Sequence, residues 1–215
     1  MPSRRLDLVG EKKSGVPAVA GVGGHVVLDF VNTCGGSGKV RDDERLIDWH
    51  AAVNWAIENR LLTQSDSRRL EKARSRAGQH PSDLLAELTE FREAMHAVFA
   101  AIAARSPLPD RARVRLEAHI VQALGHSSLC VDGGAPARWS VCPEKAGSAL
   151  MTDRLALAAS ELLTQPVLAH VRECGACSWL FLDLSRSRSR RWCSMATCGN
   201  RAKAQRHYYA SRATD

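Results

Sequence analysis

The 215-residue sequence lacks any apolar run approaching the roughly 20 residues needed to cross a bilayer, which excludes a membrane-spanning protein. It has no internal repeat and no low-complexity tract. Met1-Pro2-Ser3-Arg4-Arg5 starts with basic charge but lacks the apolar stretch and small-residue cleavage site of a secretory signal. Gly35-Gly36-Ser37-Gly38-Lys39 lacks the G-x4-G-K-[ST] spacing of a phosphate-binding loop. Among the eight His, the scattered His25, His50, His96 and His119 form no His pair, and no Ser-His-Asp order or carboxylate pair stands out. An enzyme is therefore the less favoured class. What is present is ordinary globular composition, 45% hydrophobic and 25% charged, which excludes a wholly disordered chain.

Charge and cysteine are unevenly placed. The formal net charge is +7, yet residues 1–170 carry 21 basic and 20 acidic side chains. Residues 171–215 carry nine basic and three acidic, a net of +6. An excess confined to one fifth of the chain points to a polyanionic partner, most often nucleic acid. Four of the seven cysteines also fall in the last 42 residues. An odd count clustered in this way argues against a disulfide scaffold and for a reduced, cytoplasmic setting. Cys34, Cys130 and Cys142 are expected to be buried free thiols.

Periodicity predicts a mainly α fold. Residues 1–23 read as a flexible arm, and the apolar run 25–33 is compatible with strand or helix. A helical pattern runs from Asp42 through Leu46, Trp49, Val53 and Ile57 to Leu61-Leu62, and 65–78 reads as an exposed helix. After Pro81-Ser82-Asp83, the residues Leu84, Leu88, Phe91, Met95, Val98 and Ile102 share one buried face until Pro107 and Pro109. A helix from Asp110 to Leu124 should bury Leu116, Ile120 and Leu124. Strands are expected at 128–131 and 138–142, joined from the turn Asp132-Gly133-Gly134. A last helix at 146–164 should bury Met151, Leu155, Ala158 and Leu162. The domain plan is an arm at 1–23, a helical domain at 24–166 with a small β-hairpin, and a terminal module at 171–215.

Cys174-Gly175-Ala176-Cys177 and Cys193-Ser194-Met195-Ala196-Thr197-Cys198 give the spacing C-x2-C-x15-C-x4-C. A redox C-x-x-C would need a preceding βαβ context, and disulfides would need an oxidising compartment. A catalytic zinc site would favour His or carboxylate ligands and leave a position open. Four thiolates predict one closed, structural zinc site in a treble-clef-like finger. Its arms would be Trp179–Leu182 and Arg191-Trp192, its tip 185–190, and its helix 199–212. With so few large apolar residues, the segment should be unfolded without metal. Four thiolates and Zn²⁺ lower its net charge from +6 to +4, which is still basic.

Cys198-Gly199-Asn200-Arg201 spells CGNR, after Arg190-Arg191-Trp192-Cys193 and Cys177-Ser178-Trp179-Leu180-Phe181-Leu182-Asp183. This resembles the CGNR-type zinc finger. Leu28-Asp29-Phe30-Val31-Asn32-Thr33, with Trp55 and Arg60-Leu61-Leu62 downstream, looks like the ABATE-type domain that accompanies this finger in bacteria. The resemblance implies a proposed stress-induced transcription regulator, with Cys174, Cys177, Cys193 and Cys198 as ligands and Asn200 and Arg201 within the motif.

Candidate nucleic-acid contacts are Arg186, Arg188, Arg190 and Arg191 on the loop and Arg201, Lys203 and Arg206 on the helix. On that helix Arg201, Gln205, Tyr208 and Arg212 cluster on one side, roughly opposite Lys203, Arg206 and His207. Arg201 can read guanine, whereas Asn200 is better placed to bond the turn backbone. DNA is favoured over RNA, with an acidic protein as a further alternative partner. Four to six neutralised phosphates imply a log–log salt slope of about −4 to −5. Asp29, Asn32 and Thr33, near Trp49 and Trp55, are the candidate pocket for a small effector, against the alternative of a buried polar cluster.

Overall fold

The computed structural model describes residues 21–36, 38–131, 133–134 and 136–212. Residues 1–20 of the expected arm, Asp132 of the expected turn, and the side chains of His207 and Arg212 lie outside that description. The run at 25–33 resolves as helix α1 (Val26–Val31), capped by His25, whose Nδ1 accepts the Val27 N–H at 3.3 Å. Every α1 residue except Asp29 is buried, which suits a helix that is apolar nearly all round. Strands β1 (Cys34–Gly35) and β2 (Asp43–Glu44) then pair antiparallel.

The expected helix from Asp42 instead begins at Trp49. Asp48 caps α2 (Trp49–Glu58), accepting the Ala51 N–H at 2.7 Å, and this side chain sets the start. Residues 43–44 are drawn away to β2 because Glu44 pairs with Arg92, at 2.8 Å from Nη1 and 2.5 Å from Nη2. Leu46 still reaches the core, from a loop. Helix α3 (Gln64–Arg76) has a capping box between Thr63 and Asp66.

Helix α4 (Pro81–Ala104) buries Leu88, Phe91, Met95 and Val98 as its spacing predicts, with Leu84 and Ile102 partly buried. It ends at Arg105, which turns left-handed (φ 55°) ahead of both prolines. Helix α5 (Asp110–Gly125) packs on α4 with Ala112, Leu116 and Ala123 inward. Ile120 is only partly buried and Leu124 is exposed, so the buried stripe is rotated from the expected one. Strands β3 (Ser127–Cys130) and β4 (Arg138–Val141) form the small hairpin. Cys130 and Cys142 are partly exposed beside it, and only Cys34 is a buried free thiol of the three.

The expected helix at 146–164 is split. Pro143–Ala146 forms α6, Gly147 adopts φ 56°, a conformation that L side chains rarely take, and α7 (Leu150–Thr164) follows a 3-10 turn. Met151, Leu155 and Leu162 are fully buried, while Ala158 is partly buried. The chain then forms β5 (Val171–Glu173), β6 (Leu180–Leu182) and α8 (Asn200–Arg212). Val171, Leu180 and Leu182 join the core built by α1, α2, α4, α5 and α7. A second, smaller core surrounds the four clustered cysteines and Phe181.

One polar contact fixes α3 against α7. Asp66 Oδ2 accepts from Thr63 N at 3.0 Å and from Arg154 Nη1 at 2.8 Å. Burial opposes ionisation of Asp66, but Arg154 and Thr63 outweigh it and hold the carboxyl at about 2. A lowered folded-state pKa stabilises fully above the unfolded value near 3.9, and that stability is lost as pH falls through about 2. Asp66→Asn should therefore cost about 1–2 kcal/mol in urea unfolding at pH 7, and the difference should shrink towards pH 2.

Candidate metal centre and nucleic-acid surface

The first cysteine pair lies at the turn of the β5–β6 hairpin. Cys174 N donates to Trp179 O at 2.9 Å, extending the ladder to the ligand, and Ala176 N points at Cys174 Sγ at 3.5 Å. This corrects the expected arms: Leu180–Leu182 pairs with Val171–Glu173, and Arg191-Trp192 is not a strand. The Arg191 side reaches the knuckle through one backbone bond, Gly175 N to Arg191 O at 2.9 Å. Gly175 is required there, since a Cβ would lie 2.8 Å from the Trp192 ring.

The expected tip at 185–190 is a loop closed by buried Asp183. Its Oδ1 accepts from Ser185 N at 3.1 Å and its Oδ2 from Arg190 N at 2.9 Å. Cys193 and a π-helical turn (Met195–Gly199) carry the second pair, and Cys198 lies within that turn, one residue before its end, ahead of α8.

All four sulfurs lie within 4.8 Å of one another, with Cys177–Cys193 at 3.7 Å, Cys193–Cys198 at 3.5 Å and Cys198–Cys177 at 3.6 Å. A zinc–sulfur bond of about 2.3 Å in a tetrahedron requires edges of about 3.8 Å, so the group fits the ion. The cysteines are at most 5% exposed. Hydrogen bonding from Cys193 pushes Cys177 down to about 5, and the same bond with burial pushes Cys193 up. Four thiolates this close need a central cation to ionise together. Among the described residues this is the only such ligand cluster.

The fold and this site define a four-cysteine zinc-finger protein with a helical N-terminal domain. Family models match at both ends. Residues 24–166 match ABATE, described as "Putative stress-induced transcription regulator", and residues 170–210 match the CGNR zinc finger. The chain belongs to the ABATE family and carries the CGNR finger, with one structural zinc ion on Cys174, Cys177, Cys193 and Cys198. Comparison with curated proteins returns no match.

The knuckle is fastened to the helical domain by residues that the sequence does not mark as finger contacts. Asn32 donates its Nδ2 to Leu180 O at 2.8 Å and accepts the Leu180 N–H at 2.9 Å on Oδ1. Lys39 Nζ donates to Glu173 at 2.9 Å, Cys174 O at 2.5 Å and Cys177 O at 3.1 Å. His96, which burial keeps neutral, donates Nε2–H to Ser178 O at 2.8 Å. Thr33 Oγ1 donates to Phe30 O at 2.7 Å and accepts from Arg92 at 3.1 Å. Asn32 and Thr33 are thus occupied within the structure, and of the three candidate pocket residues only Asp29 keeps an unpartnered oxygen among the described residues.

The basic residues divide by environment. Arg190 lies 4.4 Å over Phe181 and donates to Trp192 O at 2.8 Å and to Cys193 O, so it fastens the second pair. Arg186 and Arg191 are exposed, and Arg188, also exposed, bonds His170. Lys203 and Arg206 are exposed on α8. Asn200 Nδ2 donates to Ala196 O at 3.3 Å, in keeping with a bond to the turn. Tyr208 and Tyr209 are 54% and 62% exposed.

Two outcomes test this site. Because β5 and β6 sit in the helical core, the expectation that all of 171–215 unfolds without metal narrows: chelating the zinc should melt the second pair and α8 but leave those strands folded. Hydrogen exchange after metal removal should show rapid exchange at 194–206 and persistent protection at Leu180 and Leu182. Asn32→Ala should cost about 1–3 kcal/mol in urea unfolding, since it leaves the Leu180 N–H and carbonyl buried without partners.

Proposed function

We propose that the chain is a DNA-binding transcription regulator in which zinc holds α8 out as the recognition helix and the helical domain senses a small effector. The observation that carries this reading is the exposure of α8. The helix packs chiefly on the π-helical turn that bears Cys198. Of its residues with described side chains, all but Ala202 are exposed. A polar helix of 13 residues is marginal on its own. Anchored at one end by a metal, it is a rod of about 20 Å that fits the major groove. Arg186, Arg188, Arg191, Lys203 and Arg206 supply phosphate contacts around it, and Arg201 is the residue we assign to base reading. The family description as a transcription regulator supports the same reading.

A second reading, RNA or single-stranded nucleic acid, is favoured by the exposed Tyr208–Tyr209 pair, whose ring centroids are 5.6 Å apart.

Titration of the zinc-loaded chain with duplex DNA at several salt concentrations tests both. The expected log–log slope is about −4 to −5, and Lys203→Ala and Arg206→Ala should each reduce its magnitude by about 1. Arg190→Ala should lower metal affinity instead. A flat salt response on duplex would reject the DNA reading, and preference for single-stranded RNA would establish the second.

A further inference from the structure

We propose that the cavity between α1, α2 and the knuckle binds a small organic ammonium ligand. The inference rests on the regulator reading only for its consequence, as the effector site; binding itself is independent of DNA. The cavity has a volume of about 390 Å³, within the range of small-molecule sites. Its lining includes Asp29, Trp55 and Trp179, which are partly buried, and Arg45, Asn54 and Glu58, which are exposed.

Asp29 is an incomplete hydrogen-bonding group. Its Oδ1 accepts the Gly23 N–H at 2.8 Å, while Oδ2 is buried with no partner among the described residues. The chain presses so closely on this carboxyl that a Cβ on Gly21 would lie 2.0 Å from Asp29 Cγ. Burial pushes the carboxyl up to about 6. A buried acceptor without a donor is costly, and a ligand bringing N–H donors relieves that cost.

The other groups set the sign of the ligand. The side chains of Glu58 and Asn54, one turn apart on α2, have no ion pair or hydrogen bond among the described residues. Arg45 is already engaged, 4.6 Å over the Trp179 ring and 3.8 Å from Asp43. The open capacity is therefore the Glu58 carboxylate, the Asn54 amide and aromatic surface, with the Asp29 charge lying beneath Gly21 beside them. An ammonium group supplies three donors and a positive charge to the carboxylates, and its alkyl stem packs on indole. An anion would meet a net negative lining. Neither carboxylate belongs to a cluster able to hold a metal.

Occupancy would be felt at the finger, because Trp179 is both a cavity wall and the acceptor, through its carbonyl, of the Cys174 N–H.

The charged groups sharing the cavity with Asp29 are Arg45, from the segment before α2, and Glu58, from α2. Residues 21–24 and Trp179 bring none, and His25, one turn before Asp29, is kept neutral by burial at about 4. Ammonium binding needs ionised Asp29, so affinity should rise about tenfold from pH 5 to pH 7 and then level off.

The test is calorimetric titration of the full-length, zinc-loaded protein with n-butylamine, and with butyrate and 1-butanol as the anionic and neutral matches. The expected result is a Kd for the amine at or below about 1 mM, with the other two at least tenfold weaker. Asp29→Asn should weaken amine binding about tenfold at pH 7 and flatten the pH profile. The exposed Glu58→Gln should cost about threefold and retain the profile, so the proposal stays testable if Asp29→Asn folds poorly. Equal binding of butyrate or butanol, a flat pH profile in the parent chain, or no amine binding up to about 10 mM overturns the proposal. None of these outcomes touches the DNA titration, so the two readings fail separately.

Discussion

The strand Leu180-Phe181-Leu182 belongs to two cores at once, and the position of every metal ligand refers back to it. Alternation along a strand turns Leu180 and Leu182, with Val171, into the helical core and turns Phe181 towards the cysteines. Burial of three aliphatic side chains stabilises by at most about 8 kcal/mol, and the Asn32–Leu180 bonds specify the register. The hairpin thereby has anchors that do not involve the metal, and Cys174 and Cys177 lie at its turn. The second pair has no such anchor in the helical core, so it leans on the ion more heavily. The 10–16 kcal/mol of apparent binding energy typical of zinc-finger peptides exceeds what the few apolar contacts beyond Asp183 can supply. The finger is thus half a product of the helical domain and half a product of the metal.

The second half shows how little packing that division requires. Asp183 closes the loop from Ser185 to Arg190, and Arg190 lies over Phe181 while binding the carbonyls beside Cys193. Trp192 fits against Gly175 because no Cβ stands in the way. These contacts all converge on Phe181 or on the knuckle, so the loop has no independent core. Beyond Cys198 the described side chains of α8, Ala202 excepted, are exposed.

The sequence reveals most where structure depends on local spacing. The four ligands and the buried face of α4 were legible because cysteine spacing and helical period are local signals. Start sites were less legible. Leu46 has the right spacing to join α2, but Asp48 caps the helix after it and Glu44 is taken by Arg92. The α1 run could not be assigned because an apolar segment buried nearly all round has the same pattern in either conformation. Lys39, Asn32 and His96 carried no signal as finger residues, since their partners lie 134, 148 and 82 positions away. By composition Arg190 is indistinguishable from the phosphate-binding arginines, and its contacts with Phe181 and the carbonyls of Trp192 and Cys193 separate it from them. Asp29 was identifiable as a polar residue in an apolar run, but the Trp179 wall beside it comes from the other end of the chain.

The charge asymmetry has a structural counterpart. Residues 1–170 hold 21 basic side chains, yet the most buried arginine among the described residues is consumed internally. Arg92, 2% exposed, binds Glu44 and Glu93, and Arg41 grips the other side of Glu93. Paired charges of this kind present little field to a polyanion. The exposed cations of the finger have few acidic neighbours in sequence, so their field extends outward. The segment between β1 and β2 joins these two regimes: Arg41 belongs to the buried network, and Lys39, two residues earlier, rests on the zinc knuckle. Any ligand that shifts this segment changes the helical domain and the finger together, because the same few residues complete the polar bonding of both.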